Sequence, residues 1–126
     1  MHIDCPCCSS LSYANCCQPF HLDKEKPLTP EKLMRSRFSA YALHLIDYLI
    51  ETTHPSQIHF YERKEIENWA KSNVWLELEI CEAKEDIVEF KAFYQNGLKT
   101  FIHHETSIFK QEHGIWYYLK GTYPKQ

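Results

Sequence analysis

The sequence has 126 residues, 44% hydrophobic and 14% aromatic, enough to build one ordinary domain with a small appendage and too apolar for a disordered chain. Its formal charge of −3, with no basic run, argues against nonspecific nucleic-acid binding. No stretch approaches the ~20 apolar residues of a membrane span, and the N-terminus lacks a signal-peptide pattern, so the chain reads as a soluble cytoplasmic protein.

Five of the six cysteines crowd into residues 5–17, while Cys81 stands alone. Close positions and short loops make mutual disulfides awkward, and clustered thiols in a reducing compartment are more often metal ligands. Cys5 and Cys7 form one close pair, Cys16 and Cys17 another, and a short loop separates them. Two such pairs can surround one zinc ion tetrahedrally, at ~2.3 Å from each sulfur. The predicted ligands are therefore Cys5, Cys7, Cys16 and Cys17, with buried or oxidised thiols as the competing reading. Pro6 stiffens the first pair and Tyr13 can cover one side of the site. His21 is read as surface, since four thiolates complete the shell.

A polar, proline-punctuated connector between Pro19 and Pro30 divides a cysteine-rich head, residues 1–22, from a body, residues 28–126. The order Thr29, Pro30, Glu31 is a helix start, and Met34, Phe38, Tyr41 and Leu45 then recur at helical spacing. The pattern continues with a kink near His44 to Asp47, through Tyr48, Leu49 and Ile50, until His54 and Pro55 stop it. From Glu62 to Ser72 a second helix presents Ile66, Trp69 and Ala70 as its buried side. The period then changes. Val74, Leu76, Leu78 and Ile80 alternate with Trp75, Glu77, Glu79 and Cys81, and Ile87 to Tyr94 is a second β run. Asn96 and Gly97 predict a hairpin turn with two positive φ angles. Leu98 to Phe109 is a third strand and Ile115 to Leu119 a fourth, with Gly121 and Pro124 closing the fold. Helices followed by a four-stranded antiparallel meander predict an α+β fold in which a curled sheet wraps the helices and leaves a concave pocket.

Cys5-Pro-Cys7, Ser9, Tyr13 and Cys16-Cys17 together resemble the SEC-C zinc motif, first recognised at the C-terminus of the SecA translocation ATPase. Members of that family usually carry glycine where this chain has Cys8 and Ser10. Such glycines imply a left-handed or crowded backbone, so the loop here is expected to differ or to be strained. Cys8 adds a fifth thiol.

The resemblance extends further. The block from Met34 through Arg37 to Tyr41, Asp47-Tyr-Leu, Thr53-His-Pro55, His104 to Phe109, Trp116 to Tyr118 and Gly121 are together similar to the YchJ family of small bacterial proteins. The resemblance implies a SEC-C head on a cone-shaped, cystatin-like fold of the nuclear-transport-factor-2 kind, and it implies no particular reaction. Many relatives end on a second SEC-C motif, which the residues up to Gln126 do not contain.

Strand alternation places Phe101, His103, Glu105, Ser107 and Phe109 on one face, expected to turn inward. Glu105 then needs a cation, and Arg37 or Arg35 is the expected partner. Arg35, Arg37, Tyr41, His54, Glu105 and Ser107 are the candidate pocket residues. His103 and His104 fall on opposite sides and cannot share a site. Three functional readings follow, the first of them preferred: an adaptor, a pocket protein, and a purely structural one in which the zinc is a fold staple with no partner. Analogy with the SecA motif, which recruits the SecB chaperone and ribosomes, predicts a protein-interaction adaptor. The cone predicts a small-molecule-binding protein or an acid–base enzyme.

Overall fold

The structure is a computed structural model that describes residues 3–123, and the expected closure at Pro124 lies outside them. The cysteine-rich segment is a short bridge between Asp4 and Ser12, a 3-10 turn at Tyr13–Asn15 and a one-turn helix α1 at Gln18–His21. The body follows as α2 (Pro30–Ala42), α3 (Ile46–Glu51), α4 (Arg63–Lys71) and four strands: β1 (Val74–Lys84), β2 (Ile87–Asn96), β3 (Lys99–Glu112) and β4 (Ile115–Thr122). The strands pair in chain order as one antiparallel sheet, as the alternating pattern predicts.

Helix α2 begins as its sequence dictates. Thr29 Oγ1 accepts the Lys32 N–H at 3.1 Å and Pro30 opens the first turn, a cap of ~1 kcal/mol. The helical pattern does not merely kink afterwards. It stops at Ala42, His44 turns left-handed at φ 60, and α3 starts anew at Ile46. Leu33, Met34 and Phe38 of α2 pack against Leu78, Val88, Phe90, Ala92 and Phe109 on the sheet, and this layer is the principal core. A second cluster, Ala40, Ile46, Leu49 and Ala70, joins the three longer helices.

Three local features depart from the sequence pattern. A bulge between Trp75 and Glu77 shifts the phase of β1, so Trp75 packs inward beside Leu78 and Ile80 while Val74 and Leu76 are exposed. The turn joining β2 to β3 is Gly97-Leu98, because Asn96 still pairs with Lys99. Gly97 alone has positive φ there, the pattern of a type II′ turn. Two positive φ angles occur instead at His113 and Gly114, between β3 and β4.

Candidate metal centre and candidate pocket

The four predicted sulfurs converge. Those of Cys5, Cys7, Cys16 and Cys17 all lie within 4.8 Å of one another, and none is in a disulfide. Tetrahedral thiolate coordination at ~2.3 Å sets sulfurs about 3.8 Å apart, and Cys7 to Cys16 and Cys16 to Cys17 measure 3.6 and 3.8 Å. The donor set therefore fits a tetrahedral, thiophilic metal ion. Ser9 Oγ supports Cys16 Sγ at 3.1 Å. Cys8 points away, exposed and bonded to the Pro6 carbonyl, and is no fifth ligand.

Protonation follows from this crowding. Hydrogen bonding from Cys17 and then Cys7 holds the Cys5 thiol far below its usual pKa, while donation to Cys5 pushes Cys17 up. Burial lifts Cys16 to about 11. Four neighbouring thiolates repel, so all four ionise together only around a cation, and metal uptake releases protons.

Cys8 (φ 65) and Ser10 (φ 73) are both left-handed. The loop thus keeps the backbone that glycine serves in the SEC-C motif and carries strain of roughly 1–2 kcal/mol at each non-glycine residue.

The head is fastened to the body. Arg35 Nη1 donates to the Cys7 carbonyl at 2.9 Å while its Nε reaches Glu31 at 3.0 Å. Cys5 Sγ lies 3.5 Å from Ser39 Oγ. His21 is not a surface residue: its Nε2 donates to the Ser36 carbonyl at 2.8 Å, so its Nδ1 is the acceptor for Tyr13 OH at 2.6 Å. Its ring packs edge-on against Tyr48 at 4.7 Å. Burial lowers the His21 pKa, as a neutral, doubly hydrogen-bonded ring requires.

Inside the cone, a cavity of about 180 Å³ opens between α2, α4 and the sheet. Its polar groups include Arg37, Tyr41, His103, Glu105 and Tyr118, and its walls include Trp69, Trp75 and Phe90. The expected arginine–glutamate pair does not form. Arg37 donates to the Leu49 carbonyl at 2.9 Å and Thr52 Oγ1 at 2.7 Å, and stacks over the Tyr118 ring at 4.6 Å. Glu105 instead accepts from His103 Nε2 at 2.9 Å, Ser107 Oγ and Tyr118 OH at 3.0 Å. Burial alone raises a carboxyl pKa, yet these hydrogen bonds outweigh it and hold Glu105 below its usual value. Burial pushes Tyr41 and Tyr118 upward, which keeps both as neutral hydroxyls.

Three predicted pocket residues lie elsewhere. Arg35 faces the head, as described. His54 is turned toward β4: its N–H donates to the Tyr118 carbonyl at 2.8 Å, its ring packs on Tyr117, and Nε2 sits 3.1 Å from Glu112 without hydrogen-bond alignment. Ser107 is wholly buried behind Glu105 and touches the cavity only through it. Conversely, Trp69 is not simply buried: it is 38% exposed and forms a cavity wall. Gly121, opposite Ser107, is a site element that sequence reasoning missed, because a Cβ there would collide with the Glu105 carboxylate. A glycine inside a strand signals such close approach.

Comparison with known proteins bears on the family and the fold. Residues 29–121 match the family model described as YchJ, middle NTF2-like domain. A UPF0225 protein of Vibrio vulnificus is 40% identical over 132 residues, covering 100% of this chain and 78% of the relative. A UPF0225 protein of Haemophilus influenzae strain 86-028NP is 41% identical, covering 94% and 77%. Among solved structures, the solution structure of a SEC-C motif containing protein from Rhodopseudomonas palustris superimposes with TM-score 0.91 at 34% identity, covering 98% of this chain and 100% of the other. The crystal structure of a SEC-C motif containing protein from Psychrobacter arcticus gives TM-score 0.76 at 33% identity, covering 97% and 83%.

Proposed function

The chain belongs to the YchJ (UPF0225) family, and from that premise we propose that it is a small-molecule-binding protein whose cone pocket is the working site and whose head is a zinc staple. The observation that carries this reading is the cavity itself, about 180 Å³, with aromatic walls and the convergent polar groups Arg37, His103 and Glu105. Its volume is below the ~300 Å³ at which sites for drug-sized ligands begin, so the ligand is a compact metabolite. Flat walls favour a ring or another unsaturated body. Glu105 accepts, and Tyr41 keeps its proton, so the ligand brings at least one N–H or O–H donor and one acceptor.

Binding is favoured over proton abstraction. A general base works best with a pKa near the operating pH, and Glu105 is held on the wrong side of the ordinary carboxylate value. Its three donors make it a fixed hydrogen-bond acceptor. Zinc is the proposed ion for the head because four thiolates in a closed tetrahedron are the donor set of structural zinc sites.

The test is an NMR titration with single-ring phenols and aromatic amines. The expected result is selective shifting of the Trp69 and Trp75 indole N–H signals and of His103, lost in Tyr61→Ala, whose half-exposed ring lines the same cavity. Shifts confined to the head, or spread evenly over the surface, contradict the pocket reading.

A second reading keeps the head as a docking element for a protein partner, a ribosome or a secretion chaperone by analogy with the SEC-C motif. Exposed Ile3 and Leu11, 76% and 52% accessible on the head, favour it. Replacing both with serine abolishes partner capture on this reading and leaves metal content unchanged.

A further inference from the structure

Cys81, the one cysteine remote from the head, is not alone in space. On β1 the register steps from Ile80 opposite Phe90 to Glu82 opposite Glu89, so Cys81 is the extra residue of a bulge. A bulge re-aims its side chain relative to the regular pleat. Here it brings the Cys81 sulfur to Glu89 of β2 and His104 of β3, with one donor atom from each within 4.8 Å of the others. The group lies on the outer face of the sheet: Glu89 and His104 alternate with Val88, Phe90 and His103, whose side chains face inward.

We propose that Cys81, Glu89 and His104 form a second metal site, for a borderline divalent transition ion with zinc foremost, leaving one coordination position for water or an outside donor. Thiolate, imidazole and carboxylate together form a mixed donor set that such ions accept, and three protein ligands with a fourth position free is the arrangement of open rather than structural sites. The ligands come from three adjacent strands of one sheet, and β2 and β3, which carry Glu89 and His104, are paired on both sides. His104 Nε2 already sits 2.7 Å from Glu89 Oε2. Tetrahedral bonds of ~2.0–2.2 Å to nitrogen and oxygen need those atoms about 3.4 Å apart, a displacement that side-chain rotation supplies. The cross-strand His104–Glu89 hydrogen bond stabilises the sheet without any metal, but it gives no reason for a bulge that turns a thiol to the same point. The local charge suits a cation: Glu82 lies opposite Glu89 and Glu79 opposite Lys91, with Lys91, the neighbour of His104, as the single opposing cation of this group. This site is independent of the head and of the pocket.

The test is a metal titration of the full chain with its head already loaded, read by equivalents of zinc retained and by sulfur-to-metal charge-transfer absorption with cobalt(II). Wild type is expected to take a second equivalent, which Cys81→Ser and His104→Ala each remove while the head keeps its own. Both substitutions fall at the sheet surface, and an unchanged circular-dichroism melt of the cone reports that the variants are folded. Cys16→Ser with Cys17→Ser should lose the head equivalent and keep this one, and Cys8→Ser should change neither. A wild-type chain that stops at one equivalent overturns the proposal. So does a second equivalent that survives in Cys81→Ser and His104→Ala, or one that disappears in Cys8→Ser.

Discussion

The head of the molecule clusters the side chains of Cys5, Cys7 and Cys17 as its buried centre, with Tyr13 and Cys16 against them, whereas the cone packs three helices and a four-stranded sheet around two apolar clusters. About twenty residues cannot bury enough apolar surface to offset the entropy of ordering them. The body can. The difference teaches how one chain can divide its stability: four clustered thiols able to hold a metal stand where the head has no apolar core, and the hydrophobic packing of the cone leaves a hollow lined by polar groups.

The comparison breaks most visibly if the sulfurs are removed. Replacing Cys16 and Cys17 with serine should abolish metal binding at the head, a loss on the order of 10 kcal/mol of metal-linked stabilisation there, while the circular-dichroism melt of the cone persists. Metal analysis beside a thermal melt checks both halves. Next in size is the pocket. Gly121→Ala drives a methyl group into the Glu105 carboxylate and should displace it from Ser107 and Tyr118, at a cost of roughly 2–3 kcal/mol. Chemical denaturation measures that cost, and the metal content of the head should not change.

Smaller effects sharpen the contrast. Cys8→Gly and Ser10→Gly relieve left-handed non-glycine residues, and each should raise the stability of the head by about 1 kcal/mol, seen as slower metal release to a chelator. Acid titration should separate the regions without any substitution. Burial depresses the His21 pKa below 6.5, and hydrogen bonding depresses Glu105 below 4.5. In each case the unfolded chain takes up protons first, so stability is complete above the ordinary pKa and is lost as pH falls through the depressed one. The head–body contact should therefore weaken first, below about pH 6.5, and the cone only below about pH 4.5. His21→Gln removes the upper step alone.

Much of this was legible in the sequence because it rests on local rules. The paired cysteines, the Thr29 cap and the alternating strands needed only spacing and side-chain chemistry, and the inward face bearing His103, Glu105 and Ser107 followed from strand periodicity. Features set by tertiary context were not legible. The bulge at Trp75 to Glu77 turns Trp75 inward and leaves Val74 and Leu76 exposed, while Leu78 and Ile80 keep the predicted face, and no propensity marks it. Arg37 looked like the partner of Glu105, but the C-terminal end of α3 offers it carbonyl and hydroxyl acceptors that only the folded chain brings near. Glu105 found His103, Ser107 and Tyr118 instead, two of them on its own strand. Cys81 looked isolated because its neighbours lie on two other strands.

The division of labour between head and cone is tested most directly by amide hydrogen exchange of the metal-loaded protein before and after chelation. The account predicts that residues 3–22 lose their protection while Leu33, Phe38, Val88 and Phe90 keep theirs. Undiminished protection in the head, or simultaneous loss across α2 and the sheet, would contradict it.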